Sequence, residues 1–287
     1  MRNSDSRHLE VRGLRYHVRR WPRSGAPQMI FLHGWMDVSA SFQFVVDALR
    51  SEWDVYAPDW RGYGLTGWGK SDCYWFPDYI ADLDCLLEEI SPENPVNLVG
   101  HSLGGNVAAL YAGIRPERVA KFVNLEGFGL PATQPEQAPK RYARWLGELR
   151  DPPRLRPYES FEELARRLQH KNPRLTARRA DFLARHWGRE EGGKVMLRGD
   201  PAHKIVNPVL YRYEEVVACW HQVRAPVLWV DAAESETLRR IGLDAARHAE
   251  RRAAFGNLRY VTVPDAGHML HHDQPEAVAN LIEAFLG

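Results

Sequence analysis

Long apolar runs are missing from this 287-residue chain, and no stretch approaches the roughly 18 apolar residues of a membrane-spanning helix. The polar opening Met1-Arg2-Asn3-Ser4-Asp5-Ser6-Arg7 lacks the apolar core of a secretory leader, and these seven residues are expected to be disordered. Cysteine is scarce. Cys73, Cys85 and Cys219 are far apart and form no C-x-x-C pair, so half-buried free thiols and a cytoplasmic setting are expected. Neither sign of charge is in excess: 38 Lys and Arg face 37 Asp and Glu, which gives no electrostatic case for nucleic acid or a membrane surface. Repeats and low-complexity tracts are absent too. What remains, 44% hydrophobic and 26% charged, is the composition of a globular chain able to bury a sizeable core.

The most informative segment is Gly100-His101-Ser102-Leu103-Gly104. The apolar run Val96-Asn97-Leu98-Val99 precedes it and the small-residue stretch Gly105 to Leu110 follows, so it reads as strand, sharp turn and helix. Such a turn strains the backbone at Ser102 and needs glycines two positions to either side to keep strand and helix apart. Its hydroxyl then stands at a helix N-terminus, where free amides favour developing negative charge.

Two further loops follow strand-like runs. Tyr260 to Val263 leads into Pro264-Asp265-Ala266-Gly267-His268, which delivers His268 as a general base just past a strand end. Asp273 is expected to cap the next helix, with Pro275 in its first turn and Val278, Leu281, Ile282 and Phe285 at helical spacing. Met29 to Leu32 ends in His33-Gly34-Trp35, where the amides of Trp35 and Leu103 would form an oxyanion hole.

With these pieces, and with Asp59-Trp60-Arg61-Gly62-Tyr63-Gly64 between His33-Gly34-Trp35 and the turn at Ser102, the chain resembles the α/β-hydrolase superfamily over nearly its whole length. It is most similar to the capped branch of haloalkane dehalogenases, epoxide hydrolases and small carboxylesterases. The resemblance implies an α/β fold: a mostly parallel eight-stranded sheet flanked by helices, with residues 1–130 and 222–287 as core and 131–221 as an inserted helical cap. Serine at position 102, where dehalogenases and epoxide hydrolases use aspartate, turns the expected chemistry toward acyl transfer.

The acid that orients His268 is open at this level. In the family it usually follows the strand after the cap, here Val227 to Val230, but that position falls on Ser235. Glu126, at the end of Val119 to Leu125, is the first candidate because some dehalogenase-like and small-esterase members place their acid there. Glu234 is the alternative, and Asp231 and Glu236 rank below it.

The segment 131–221 carries 18 Lys and Arg against 12 Asp and Glu. It could steer an anionic substrate or an acidic carrier protein, though a solvated helix face explains the same charges. Ser160-Phe161-Glu162-Glu163 opens one helix there and Thr176 to Trp187 spans a second. Among the aromatics Trp35, Trp60, Trp68, Tyr74, Trp75, Phe76 and Phe128, only Trp35 and Phe128 are expected to face substrate. His271 and His272 lie near His268, but no carboxylate or cysteine stands at a spacing that would complete a metal site, so no metal and no cofactor is expected. The expectation is a serine hydrolase acting on an apolar acyl or aryl carboxylic ester. The motifs leave open a thioester, a lactone or a carbon–carbon bond as substrate, or a slow binding protein on the same fold.

Overall fold

The computed structural model describes residues 1–287. β1 (Asp5–Val11) and β2 (Leu14–Trp21) form a hairpin whose turn residues Arg12 and Gly13 have φ of 47° and 77°, as a right-twisted two-residue hairpin requires. β1 therefore begins inside the segment expected to be disordered. Its pairing with β2, from Asp5 opposite Arg20 to Val11 opposite Leu14, gives these polar residues backbone partners that composition does not reveal.

β3 (Gln28–Leu32), β4 (Asp54–Pro58), β5 (Val96–His101) and β6 (Val119–Leu125) follow, with α1 (Gln43–Ala48), α2 (Phe76–Ile90) and α3 (Leu103–Ile114) between them. After β6 come α4 (Ala138–Arg150), α5 (Phe161–Lys171), α6 (Ala177–Trp187), the two-stranded β7 (Gly188–Glu191) and β8 (Lys194–Leu197), and α7 (Tyr213–Trp220). The chain closes with β9 (Val227–Ala232), α8 (Thr237–Arg240), α9 (Ala245–Ala253), β10 (Leu258–Val263), α10 (Leu270–Asp273) and α11 (Pro275–Leu286). Eight strands make one sheet in the order β1-β2-β4-β3-β5-β6-β9-β10, parallel from β4 onward.

Both faces of the central parallel strands are covered, so β3, β4, β5, β6 and β9 are largely apolar rather than alternating, whereas the edge strand β10 exposes Arg259, Tyr260 and Thr262. Ile30, Leu32, Leu98, Phe122 and Trp229 pack with Leu83 and Leu86 of α2 and Val107 and Tyr111 of α3. Met29, Phe31, Val99, Val123 and Leu228 face the other way, onto Val45 and Val46 of α1 and Val278 and Ile282 of α11. No helix is long and apolar enough to cross a membrane.

Between β6 and β9, α5 and α6 start where the sequence signals place them. Ser160 accepts from the Glu163 amide and Thr176 from that of Arg179. The two helices bury Leu164 and Ala184 with Tyr158 and Val195 of a small separate cluster. Two features differ from the helical cap expected over 131–221: β7 and β8 form a hairpin, and α7 packs on α3 of the core so closely that a Cβ at Gly113 would stand 1.9 Å from the Cys219 carbonyl oxygen. Asp273 does not cap α11. Gln274 is the residue before that helix, and Asp273 instead accepts from the Gly267 amide at 2.9 Å, tying the loop that carries His268 to α10.

Candidate active site

Ser102 stands between β5 and α3 with φ 50° and ψ −112°, a strained conformation for a serine. Its amide donates to Leu125 O at 2.9 Å and its carbonyl accepts from the Asn106 amide, so the turn is pinned by β6 on one side and α3 on the other. Crowding explains the flanking glycines: a Cβ at Gly100 would stand 2.5 Å from Gly104 O, and one at Gly104 would stand 2.0 Å from Leu32 O.

His268 sits past β10 and Glu126 directly past β6. His268 Nε2 is 3.0 Å from Ser102 Oγ, and its Nδ1 is 3.0 Å from Glu126 Oε2. The structure thus brings Glu126, and not Glu234, to the histidine. Glu234 is exposed and pairs with Arg174, and Glu236 pairs with Arg239. Asp231 accepts from Trp229 Nε1 and Tyr260 Oη, at 2.8 and 2.9 Å. Ser235, at the position where the family usually has its aspartate, donates its hydroxyl to Glu126 Oε2. The Ala232 amide donates to Oε1 at 2.7 Å. Glu126 itself has φ 58°, and Asn124 holds the following turn by bonding both the Gly127 amide and its carbonyl.

Burial pushes the Glu126 carboxyl up to about 7, opposed by the donors from Ser235 and Ala232, which favour the ionised form. Burial likewise lowers His268, with the Arg240 charge adding to the effect, so the imidazole rests neutral. Its backbone is fixed as well: His101 Nε2 donates to the His268 carbonyl at 2.8 Å. His33 Nε2 accepts from the Trp60 amide at 2.9 Å, a local structural bond.

Trp35 is 53% exposed, and its indole donates to His203 O. The Trp35 amide has no acceptor within the chain, and Leu103 is the first residue of α3, where helical amides are free. Both residues line a cavity of about 220 Å³ that opens on Ser102. Its walls are Tyr74, Trp75, Phe76, Tyr79 and Leu130, with Asn106 and His203 as polar members. Phe128 is not among them. It is 2% exposed and packs its ring against His248 and Trp229, because the turn after Glu126 directs it beneath the sheet's end rather than toward Ser102. The aromatics at 74–79 line the cavity in place of Phe128; in sequence they are a cluster at the start of α2 beside Pro77, whereas nothing local marks His203.

A second hollow of about 710 Å³ adjoins His268 and is polar, with Lys171, Arg174, Arg239 and Arg240 in its wall beside Glu234, Glu236 and Asp273. Many other arginines of the segment 131–221 pair with nearby acids, as Arg144 does with Glu148 and Arg185 with Asp181. Cys73, Cys85 and Cys219 are free and half-buried. Asp37, distant in sequence, comes within reach of His271 and His272, supplying the carboxylate that linear spacing does not offer.

The family model for the alpha/beta hydrolase fold matches residues 27–275. The chain belongs to that family. A serine hydrolase-like protein of Danio rerio is 26% identical over 275 residues, covering 93% of this chain and 83% of that one. Among solved structures, a thioesterase domain from the curacin biosynthetic pathway superposes with a TM-score of 0.88 at 22% identity, covering 98% of this chain and 99% of the domain. An esterase from Mycobacterium tuberculosis superposes with a TM-score of 0.74 at 22% identity, covering 99% and 91%. At these identities the two structures establish a shared fold. Together with the serine hydrolase-like relatives, the family match makes this chain an α/β-hydrolase with a serine at the elbow.

Proposed function

We propose that the protein is a serine esterase that cleaves carboxylic esters with a small apolar or aryl acyl group, through an acyl-enzyme. The observation that carries this reading is His268 held 3.0 Å from both Ser102 Oγ and Glu126 Oε2, with Ser102 itself lining an aromatic cavity of about 220 Å³. His268 takes the Ser102 proton as Oγ attacks the carbonyl carbon, and Glu126 stabilises the resulting imidazolium. The free amides of Trp35 and Leu103 receive the oxyanion. The imidazolium then protonates the departing alcohol, and a water deprotonated by His268 releases the acid. In this reading the residues 131–221 form a cap: Trp35 meets His203, and Arg174 meets Glu234, across the site's rim.

A second reading is a thioester with an anionic carrier or leaving group. It is favoured by Lys171 and Arg240, the basic side chains of the larger hollow beside His268 that carry no ion pair, and by the structural likeness to a thioesterase domain. Fluorophosphonate labelling tests the shared chemistry, with Ser102→Ala as control. A panel of p-nitrophenyl esters and acyl thioesters of increasing chain length then separates the two. Failure of wild type to label would overturn both.

A further inference from the structure

His271 and His272 on α10 face Asp37 in the loop after β3, at 0%, 2% and 1% exposure. One ligand-capable atom from each lies within 4.8 Å of those from the other two. His271 Nε2 is 3.5 Å from Asp37 Oδ2, too far for a good hydrogen bond. Asp37 Oδ1 is occupied, accepting from the Val38 amide at 2.8 Å and from the Ser41 hydroxyl. Its Oδ2 has no partner. Neither ring nitrogen of His271 has one, and neither does His272 Nε2.

Four orphaned polar atoms in one buried place are a severe deficit, since buried polar groups nearly always find a partner in the protein, in ordered water or in an ion. Two imidazoles and one carboxylate are a donor set that borderline divalent ions take readily. We propose that Asp37, His271 and His272 form a binding site for a divalent transition ion of the Zn²⁺ type, with water completing the coordination. Ligand atoms around tetrahedral zinc stand about 3.3 Å apart. Closing from the observed separations of up to 4.8 Å moves each side chain inward by less than about 1 Å. The support behind the ligands is in place. Val38 and Ser41 orient the carboxylate, and Arg179 holds the His272 carbonyl at 2.9 Å.

The ion would be a clamp rather than a participant in acyl transfer. It joins the loop bearing Trp35 to the short helix that follows His268, with the His101 ring standing 4.3 Å from that of His271 and 4.9 Å from that of His268. The inference rests on these buried atoms alone and stands whether or not the esterase reading holds.

The test is binding of Zn²⁺ alone to the chelator-stripped full chain at neutral pH, by titration calorimetry and by metal analysis after dialysis. One ion per chain is expected, and Co²⁺ in its place should give the visible absorption of a nitrogen- and oxygen-bound site. Ser102→Ala should bind as wild type does, which separates this site from the serine. Asp37→Asn should weaken binding at least about 100-fold, beyond the loss of a merely supporting group. It keeps an amide oxygen for Val38 and Ser41, so its fold is expected to survive and its melting curve checks this. His272→Gln gives the second arm. Absence of saturable binding in wild type, or binding unchanged by Asp37→Asn, overturns the proposal and assigns the space to water.

Discussion

Glu126→Gln is nearly isosteric, yet the surroundings of the carboxylate leave the amide no good orientation. Three donors converge on Glu126: the Ala232 amide on Oε1, and the Ser235 hydroxyl and His268 Nδ1–H on Oε2. With its oxygen toward His268, the glutamine presents its NH₂ to the Ala232 N–H, a buried clash of donors. With its oxygen toward Ala232, the NH₂ donates to His268 Nδ1 and moves the ring proton to Nε2, where it can no longer accept from Ser102. Either way the imidazolium of the transition state loses its counter-charge. The fall in kcat should be about 10²- to 10⁴-fold, the range between a weakened base and a wrong tautomer, or roughly 3–5 kcal/mol of barrier. KM should change little, because the interaction strengthens only as charge develops. The assay is steady-state hydrolysis of a p-nitrophenyl ester, with Glu234→Gln alongside and expected to cost less than about tenfold. A loss under about tenfold for Glu126→Gln, or the larger loss for Glu234→Gln, would refute the assignment of the acid.

Ser102→Ala should abolish labelling and turnover while the melting curve stays close to that of wild type; residual activity within about tenfold would remove Ser102 as nucleophile. Burial lowers His268 below its ordinary value but lifts Glu126 to about 7, so the acidic limb of kcat/KM should follow the carboxyl, with activity rising through a midpoint near about 7 as Glu126 ionises. A midpoint well below about 6 would show that ionised Glu126 is not required. Ser235→Ala removes a donor that favours ionised Glu126, so the carboxyl should rise above about 7 and activity at neutral pH should fall with it, read as a shift in the pH profile toward alkaline. Gly104→Ala should fail to accumulate as folded protein or melt far lower, since its Cβ would meet Leu32 O at 2.0 Å; a stable, soluble variant would show that the elbow is not tightly packed.

The elements that announce themselves in sequence are those whose causes are local. Gly100 and Gly104 mark the elbow because strand and helix nearly touch there, Ser160 and Thr176 mark helix starts because their hydroxyls bond amides three residues on, and the apolar run Met29 to Leu32 marks a strand covered on both faces. What stayed hidden depends on contacts between distant residues. β1 is polar and holds only by pairing with β2. Phe128 and Tyr79 are both plausible pocket residues by type, and only the direction of the chain after Glu126 and along α2 sends one to the core and the other to the cavity. Asp273 and Asp37 serve the His268 loop and the buried histidines from far along the chain, so no spacing rule could assign them. Glu126 ranks ahead of Glu234 in sequence, but its place beside His268 depends on the pairing of β6 with β9, which sets Ser235 against the carboxylate.

Ser102 and Glu126 follow adjacent parallel strands of one βαβ unit, and each holds a left-handed backbone conformation at its strand's end. His268 alone comes from elsewhere, on a loop tied down by Asp273 and His101. The unit bearing Ser102 and Glu126 is embedded in the sheet and can open only with the whole domain, whereas the loop of His268 can detach by losing a few bonds. Heating should therefore uncouple catalysis from folding: hydrolysis would fade over a range where circular dichroism still reports a native sheet, and return on cooling.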